Sequence, residues 1–337
     1  MKRVAIFAHF DKKNKIADYV VYYLNGLKQI AEKVIFVSDA DISEKELEKI
    51  NDIVDVAICK KHGEYDFGSY KFGFLYAKEQ EDFCDFDEMI FANDSCYGPL
   101  FSFEEMFNEM QPKTVDFWGI TENNFGVDID EETGKSVIRP HLQSYFLVFR
   151  NNVYTSNVFI DFMENIKKTS NKVEIINKYE IGLSETLVNE GFSYSSFIGK
   201  IQKSNPVVNN WIKLIVAKRC PALKSSIPKL LNKGQFNALL WYKVIKNHTD
   251  YPIKLIMASL FDFDILKPLC YNFTIKIEEA YLEFLMKMAN RFNFQISFDI
   301  NYIKYVIKMY RRKYIRIHFN KNRICLRGKW YGTPYVD

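Results

Sequence analysis

Between His9 and Glu122, five polar clusters each follow a run of apolar residues: His9-Phe10-Asp11, Ser38-Asp39, Lys60 through Ser69, Asn93-Asp94-Ser95 and Thr121-Glu122. Carboxylates, amides and hydroxyls dominate them. Such hard oxygen donors suit a divalent cation of the Mg²⁺ or Mn²⁺ type and, with it, a phosphorylated sugar or nucleotide.

The preceding runs read as strands: Val4–Ala8, Val34–Val37, Val54–Cys59, Glu88–Ala92 and Val115–Ile120. Helical patterns separate them: Ile16–Ala31, a stretch opened by Ser43 with Glu46 in the capping-box place, one after Gly63–Gly73, and Phe103–Met110. Strands apolar throughout and alternating with helices predict an α/β fold with a mostly parallel sheet covered on both faces. In such a sheet, ligands bind beyond the carboxyl ends of the strands, which brings the five clusters to one edge. Gly126–Arg139 reads as a polar hairpin or loop, Leu142–Phe149 as a further strand, and Val158–Ile166 and Ile181–Glu190 as helices. After about Gln202 the pattern changes to Lys-rich, aromatic helical stretches broken by Pro206, Pro221, Pro228 and Pro252. The expected division is an α/β domain over 1–202 and a helical region over 203–337.

Composition narrows the class. A chain of 337 residues, 48% hydrophobic and 16% aromatic, buries a large core and is neither disordered nor fibrous. Its six cysteines are scattered, so free thiols in a reducing compartment are expected rather than a zinc site or disulfides. No apolar stretch is long enough to span a bilayer, and the run after Met1-Lys2-Arg3 is too short for a signal peptide; a cytoplasmic protein is expected. The P-loop spacing, the dinucleotide Gly-x-Gly-x-x-Gly turn and the Gly-x-Ser-x-Gly elbow are all missing. His9, His62 and His141 are so far apart that only folding could join them.

Charge is uneven. Of 46 basic and 42 acidic residues, ten and one fall between Ile300 and Asp337, so the rest of the chain is net acidic. Ile303, Val306, Ile307 and Tyr310 share a helical face, with Lys304, Lys308, Arg311 and Arg312 mostly elsewhere. That predicts a basic amphipathic helix lying on an anionic membrane surface through residues 302–330, the alternative being a solvated face of the domain. Nucleic-acid binding led by this tail is the third possibility, but no recognition motif accompanies it, and no nucleic-acid partner is expected.

Six blocks together resemble the rhamnan synthesis protein F family. They are Ala8-His9-Phe10-Asp11 with Tyr19–Leu24, Glu64–Lys71, Asn93–Leu100, Asp116–Thr121, His141–Phe146 and Tyr179–Ser184. The resemblance covers the first 200 or so residues well and the remainder poorly. It implies a GT-A-like, inverting glycosyltransferase of surface-polysaccharide assembly, with dTDP-rhamnose the favoured donor and a lipid-linked glycan the acceptor, on the inner face of the plasma membrane. It places Asn93-Asp94-Ser95 at the family's Asp-x-Asp position, with Asp94 the ligand of Mn²⁺ or Mg²⁺, and Glu180 at the general base. His9, Asp11, Asp39, Asp66, Gly68, Ser69 and Lys71 would surround the nucleotide; Asp116, Trp118, His141 and Gln143 would line the sugar and acceptor side. A non-catalytic assembly subunit retaining the fold is the competing reading. Locally, Glu180 could be a first-turn helix acid, Asp94 a loop cap, Trp118 core, Asp39 a turn residue, and His141 and Gln143 strand-end hydrogen bonders.

Overall fold

A computed structural model describes residues 1–129, 136–169, 171–199, 205–229, 240–260, 294–299, 304–309, 313–320 and 323–330. The chain opens with β1 (Arg3–His9), α1 (Asp18–Lys28), β2 (Lys33–Ser38), α2 (Glu44–Leu47), β3 (Val56–Cys59) and α3 (Tyr65–Lys78). It continues through β4 (Glu88–Asn93), β5 (Cys96–Tyr97), α4 (Phe103–Met110), β6 (Phe117–Gly119), β7 (Glu122–Ile129), β8 (Ser136–Leu142) and β9 (Phe146–Arg150). Next come α5 (Asn151–Tyr154), α6 (Asn157–Glu164) and α7 (Lys172–Ile175), which passes through a π-helical turn (Ile176–Ile181) into α8 (Gly182–Asn189). β10 (Tyr194–Ser196), α9 (Pro206–Asn209), α10 (Trp211–Lys218) and β11 (Leu223–Lys224) follow. Residues 1–224 form one compact unit and residues 225–337 another.

In the first unit a seven-stranded sheet runs in the order β10-β6-β9-β4-β1-β2-β3. All its pairings are parallel except those of β9, which lies antiparallel between β4 and β6. The register aligns the strand ends: Ala8 pairs with Asn93, His9 with Ser38, and Ser38 with Cys59. The clusters after β1 to β4 therefore meet at one edge, as expected of a parallel sheet.

Alternation along each strand divides the core between the two faces. Ala5, Phe7, Phe36, Ile90 and Ala92 pack with α1 and α4. Val4, Ile6, Ala8, Val37, Met89 and Phe91 pack under α3, α6 and α8. On this second face Phe91 stacks on Tyr70 at 4.6 Å and meets the edge of Phe149 at 5.1 Å. Gly73 lets α3 approach β1: a Cβ there would lie 2.4 Å from Ile6 Cγ2. At the amino end of the sheet, Arg3 Nε donates to the buried Glu88 carboxylate at 2.7 Å while its guanidinium covers Phe107.

Some local expectations shift. Of the segment Gly126–Arg139, residues 126–129 end β7 and 136–139 open its antiparallel partner β8, while 130–135 lie outside the described residues. The strand expected over Leu142–Phe149 is divided between the end of β8 and the start of β9. Ser43 stands at the N-cap of α2 without a capping bond, because the Glu46 carboxylate accepts instead from Ile16 N–H and Lys49.

The second unit carries α11 (Ser226–Lys229), α12 (Trp241–His248) and α13 (Ile253–Leu260). It ends in an antiparallel sheet of β12 (Phe294–Asp299), β13 (Lys304–Met309), β14 (Lys313–Asn320) and β15 (Arg323–Trp330). The basic amphipathic helix expected from Tyr302 is thus two strands, and the C-terminal region is not wholly helical. Ile315-Arg316-Ile317-His318-Phe319 and Ile324-Cys325-Leu326 alternate with period two, and β-branched residues favour the extended backbone. The membrane contact inferred from that helix loses its basis for the described residues; Tyr302, Ile303 and Tyr310–Arg312 lie outside them. Among the described residues, no helix is long and apolar enough to cross a membrane.

Phe91→Ala would remove a ring packed on every side and leave a cavity in the second face. A loss of about 3–5 kcal/mol in unfolding free energy is expected, read as a lowered urea midpoint at unchanged slope.

Candidate active site at the carboxyl edge of the sheet

The β4 terminus is the centre of the edge. Asp94 N–H donates to Ala8 O at 3.2 Å, and Phe10 N–H donates to Asp94 Oδ2 at 2.9 Å, so the carboxylate is tied to the end of β1. Asn93 is buried, and its amide orientation is fixed by its partners. Nδ2 donates to Asp66 Oδ2 at 2.9 Å, and Oδ1 accepts from Ser95 N–H at 3.1 Å and from the Ser95 hydroxyl. The same hydroxyl accepts from Lys224 Nζ at 2.8 Å. A directed chain results: Lys224 ammonium, Ser95, Asn93, Asp66 carboxylate.

His9 adds its ring from β1. Nδ1 meets Ser38 Oγ at 2.8 Å, and Nε2 stands 4.0 Å from Asp94 Oδ2. Burial lowers its pKa to about 4 against the opposing pull of Asp11, so the ring is neutral at pH 7. Asp94 consequently has no full positive charge in contact, although Lys224 is near enough to draw its pKa down somewhat. Burial, followed by the neighbouring Asp66, raises its pKa to about 7.

Glu180 reaches the same edge from the π-helical turn. Its Oε1 accepts from Ser144 N–H at 3.0 Å, while Ser144 O accepts from Tyr70 OH at 2.8 Å. Tyr70 lies close enough to both Asp66 and Glu180 for each carboxylate to push its phenol pKa further up, beyond the effect of burial. Tyr70 is therefore close to both the Glu180 and the Asp66 ends of the site.

Asp39 organises the loop after β3. Its Oδ1 accepts from His62 N–H at 2.7 Å and Gly63 N–H at 2.8 Å. His62 Nδ1 accepts from Glu64 N–H at 3.0 Å, which leaves Nε2 to donate to Ser69 Oγ at 3.0 Å. Gly68 makes room for that ring, since a Cβ would lie 2.7 Å from His62 Nδ1 and 2.2 Å from Glu64 Cβ. Asp39, Gly68 and Ser69 thus shape the rim of the edge through His62.

Other expected site residues are placed differently. Lys71 is held by Glu64 and by Ile166 O, pinning α3 to the segment after α6. Asp11 accepts from Lys13 and Lys15 N–H in its own turn, though it remains near enough to influence His9 and Asp94. Gln143 joins Thr121, which in turn meets Tyr145 OH at 2.8 Å, and His141 donates from Nδ1 to Arg139 O. Asp116 and Trp118 do not belong to the edge. Asp116 precedes the amino end of β6, on the opposite side of the sheet, where it accepts from Ser193 and Asn152. Trp118 is 1% exposed and meets Phe107 edge-on in the core.

The divalent cation implied at Asp94 does not fit the donors present. The Asn93 amide points its N–H at Asp66, the Ser95 hydroxyl is taken by Lys224, and Asp94 Oδ2 already accepts from Phe10. Among the described residues, no group of three His, Cys, Asp or Glu side chains could hold a metal ion. Lys224 escaped the sequence reading because it lies 129 residues beyond Ser95, with no motif around it. Tyr70 and Ser144 sat inside recognised blocks but had no chemistry assigned to them.

Stability should report the buried Asp94 carboxylate. Its folded-state pKa is raised above the ordinary 3.8, so ionised Asp94 destabilises the fold above pH 7, and that cost fades as pH falls toward 4. The lowered pKa of His9 acts oppositely, removing stability as pH falls from 6.5 toward 4. Asp94→Asn, measured by denaturant unfolding in chelator, is expected to be more stable than wild type at pH 8, with the advantage shrinking by pH 5.

Comparison with known proteins places this edge in a family context. The chain is 29% identical to the virulence protein VirA of Vibrio anguillarum over 144 residues, 42% of this chain and 41% of that one. It is 25% identical to the uncharacterized protein y4gN of Sinorhizobium fredii over 163 residues, 48% of this chain and 40% of that one. The chain thus spans about two fifths of the length of these curated relatives. Among solved structures it is similar to core-mannan synthase A of Aspergillus fumigatus in its Mn/GDP form, with a TM-score of 0.32, 7% identity, and coverage of 58% of this chain and 72% of that one. It is also similar to S. aureus TarS 1–349, with a TM-score of 0.37, 13% identity, and coverage of 84% and 77%. The family model for rhamnan synthesis protein F matches residues 34–310, spanning β2 to β13 and therefore most of the edge; the chain belongs to the rhamnan synthesis protein F family.

Proposed function

We propose that the protein is an inverting glycosyltransferase that moves a sugar from a nucleotide-diphosphate donor to a hydroxyl of a growing surface polysaccharide. The observation that carries this reading is the shared edge: a carboxylate, Glu180, held by Ser144 N–H and linked through Tyr70 to a second polar group of Asp66, Asn93, Asp94, Ser95 and Lys224. The donor's nucleotide would lie over the ends of β1 to β4, rimmed by the loop that Asp39 and His62 shape. The acceptor hydroxyl would approach from the Glu180 side.

The chemistry follows from that arrangement. The acceptor oxygen attacks the anomeric carbon and forms the new C–O bond as the bond to the diphosphate breaks. The leaving nucleotide keeps the electron pair, and Glu180 takes the hydroxyl proton. Attack and departure on opposite faces invert the anomeric centre. By family, rhamnose from dTDP-rhamnose is the favoured donor and a lipid-linked glycan the acceptor.

Glu180→Gln keeps an oxygen to accept from Ser144 but cannot take a proton. A fall in transfer rate of about 10²- to 10⁴-fold is expected, with an unchanged nucleotide-induced thermal shift. Thermal stability against dTDP, UDP, GDP and CDP identifies the donor class, since a ligand at about 100 times its Kd adds roughly 2.7 kcal/mol. Unaltered glycan synthesis by the Glu180→Gln protein would favour a non-catalytic assembly subunit.

A further inference from the structure

Lys224 brings an ammonium to the β4 terminus at the carboxyl edge, and its backbone is set in place by packing. β11 pairs antiparallel with β5, so that Lys224 faces Cys96 and Leu223 faces Tyr97. Leu100 N–H donates to Pro221 O at 2.8 Å, and a Cβ on Gly98 would lie 2.8 Å from that same oxygen. Leu223 and Cys220 are fully buried. The ammonium itself rests 5.3 Å above the Tyr145 ring and donates to Ser95 Oγ.

Its partner differs from those of four lysines that brace the sheet and its helices. Lys28, Lys33, Lys71 and Lys78 each close on a carboxylate, at Asp55, Asp82, Glu64 and Glu164 respectively. Lys224 donates to a neutral hydroxyl, and no ion pair includes it among the described residues. A half-buried ammonium is a strongly hydrated charge; without an ion pair it is available to an anion from outside.

The Ser95 hydroxyl makes the assignment directional. Because it donates to Asn93 Oδ1 and accepts from Lys224, and because Asn93 passes a donor on to Asp66, positive charge stands at the Ser95 end and negative charge at the Asp66 end. The resemblance implies a metal-binding motif at Asn93-Asp94-Ser95; here the Ser95 hydroxyl faces an ammonium.

Building on the glycosyltransferase reading, we propose that Lys224 is the resident cation of the donor site, binding the diphosphate of the nucleotide sugar at Ser95 in place of a divalent metal. Lysine binds phosphate as a point charge, through three rotatable donors. As the diphosphate leaves, its growing negative charge falls beside this ammonium.

The test is titration calorimetry of the full chain with dTDP, UDP, GDP and CDP, each in EDTA and in Mn²⁺, using wild type, Lys224→Met and Lys224→Arg. Wild type is expected to bind one of the diphosphates with similar affinity in both buffers. Lys224→Met should weaken it by about 10- to 100-fold, the range of a charged hydrogen bond, and should weaken the matching monophosphate less. Lys224→Arg should recover part of the loss. Unfolding midpoints measured without nucleotide separate lost binding from lost folding; if Lys224→Met is unfolded, the Lys224→Arg titration and the EDTA comparison decide. Wild-type binding that vanishes in EDTA, or that Lys224→Met leaves unchanged, overturns the role of Lys224 while leaving the glycosyltransferase reading standing. Wild type that binds no nucleotide in either buffer overturns both.

Discussion

The hydrogen-bond chain from Lys224 through Ser95 and Asn93 to Asp66 is the constraint on which the site depends. Each link has one possible direction. An ammonium only donates and a carboxylate only accepts, so the hydroxyl and amide between them have no alternative orientation. The chain joins three parts of the sequence far apart in number: α3, the end of β4, and β11. Opposite charges at its ends polarise the intervening groups and strengthen the links. A substitution in the middle therefore disturbs both ends.

Around that chain, the sheet supplies rigidity and the loops supply chemistry. Parallel strands buried on both faces leave no freedom in register, because a slip by one residue would exchange the two cores. With Ala8 opposite Asn93 and His9 opposite Ser38, the side chains at the strand ends are placed by backbone pairing alone. Asp94 is the exception, since it is largely shielded from water with no cation in contact. Its carboxylate is retained at a cost to the fold above neutral pH, which the backbone N–H of Phe10 and the charge of Lys224 offset only in part. A group that weakens the fold yet is held this firmly fits a role in binding.

What the sequence made legible follows from how local each signal is. Apolar runs closed by polar clusters revealed β1 to β4 and the edge they share, because burial on both faces removes polar residues from such strands. The antiparallel direction of β9 was not visible: a short apolar strand carries no sign of its orientation. The strands of β13 to β15 were legible but misread. Lys304-Tyr305-Val306-Ile307-Lys308 satisfies both a helical and an alternating pattern, and only the longer alternation downstream separates them. Asp116 and Trp118 were misplaced because the family block was carried over whole, although the carboxyl-end rule applied to Val115–Ile120 already leaves Asp116 at the far end of β6 and Trp118 within the strand.

Lys224 shows where reading by motif ends. A lone lysine between Leu223 and Ser225 has no periodicity, and its meaning comes from a two-residue pairing with β5. The Asn-Asp-Ser triplet did carry a trace of it. Two neutral residues beside one aspartate leave the cation-binding half of an acidic motif without charge, so either the motif is inert or a cation is supplied by the protein. Asn93 and Ser95 are not idle replacements, for a carboxylate at either position could not donate the hydrogen bond that passes toward Asp66. The neutral Asn93 and Ser95 and the presence of Lys224 belong to one arrangement, and in the role proposed for Lys224 a fixed ammonium would do the work of a recruited ion.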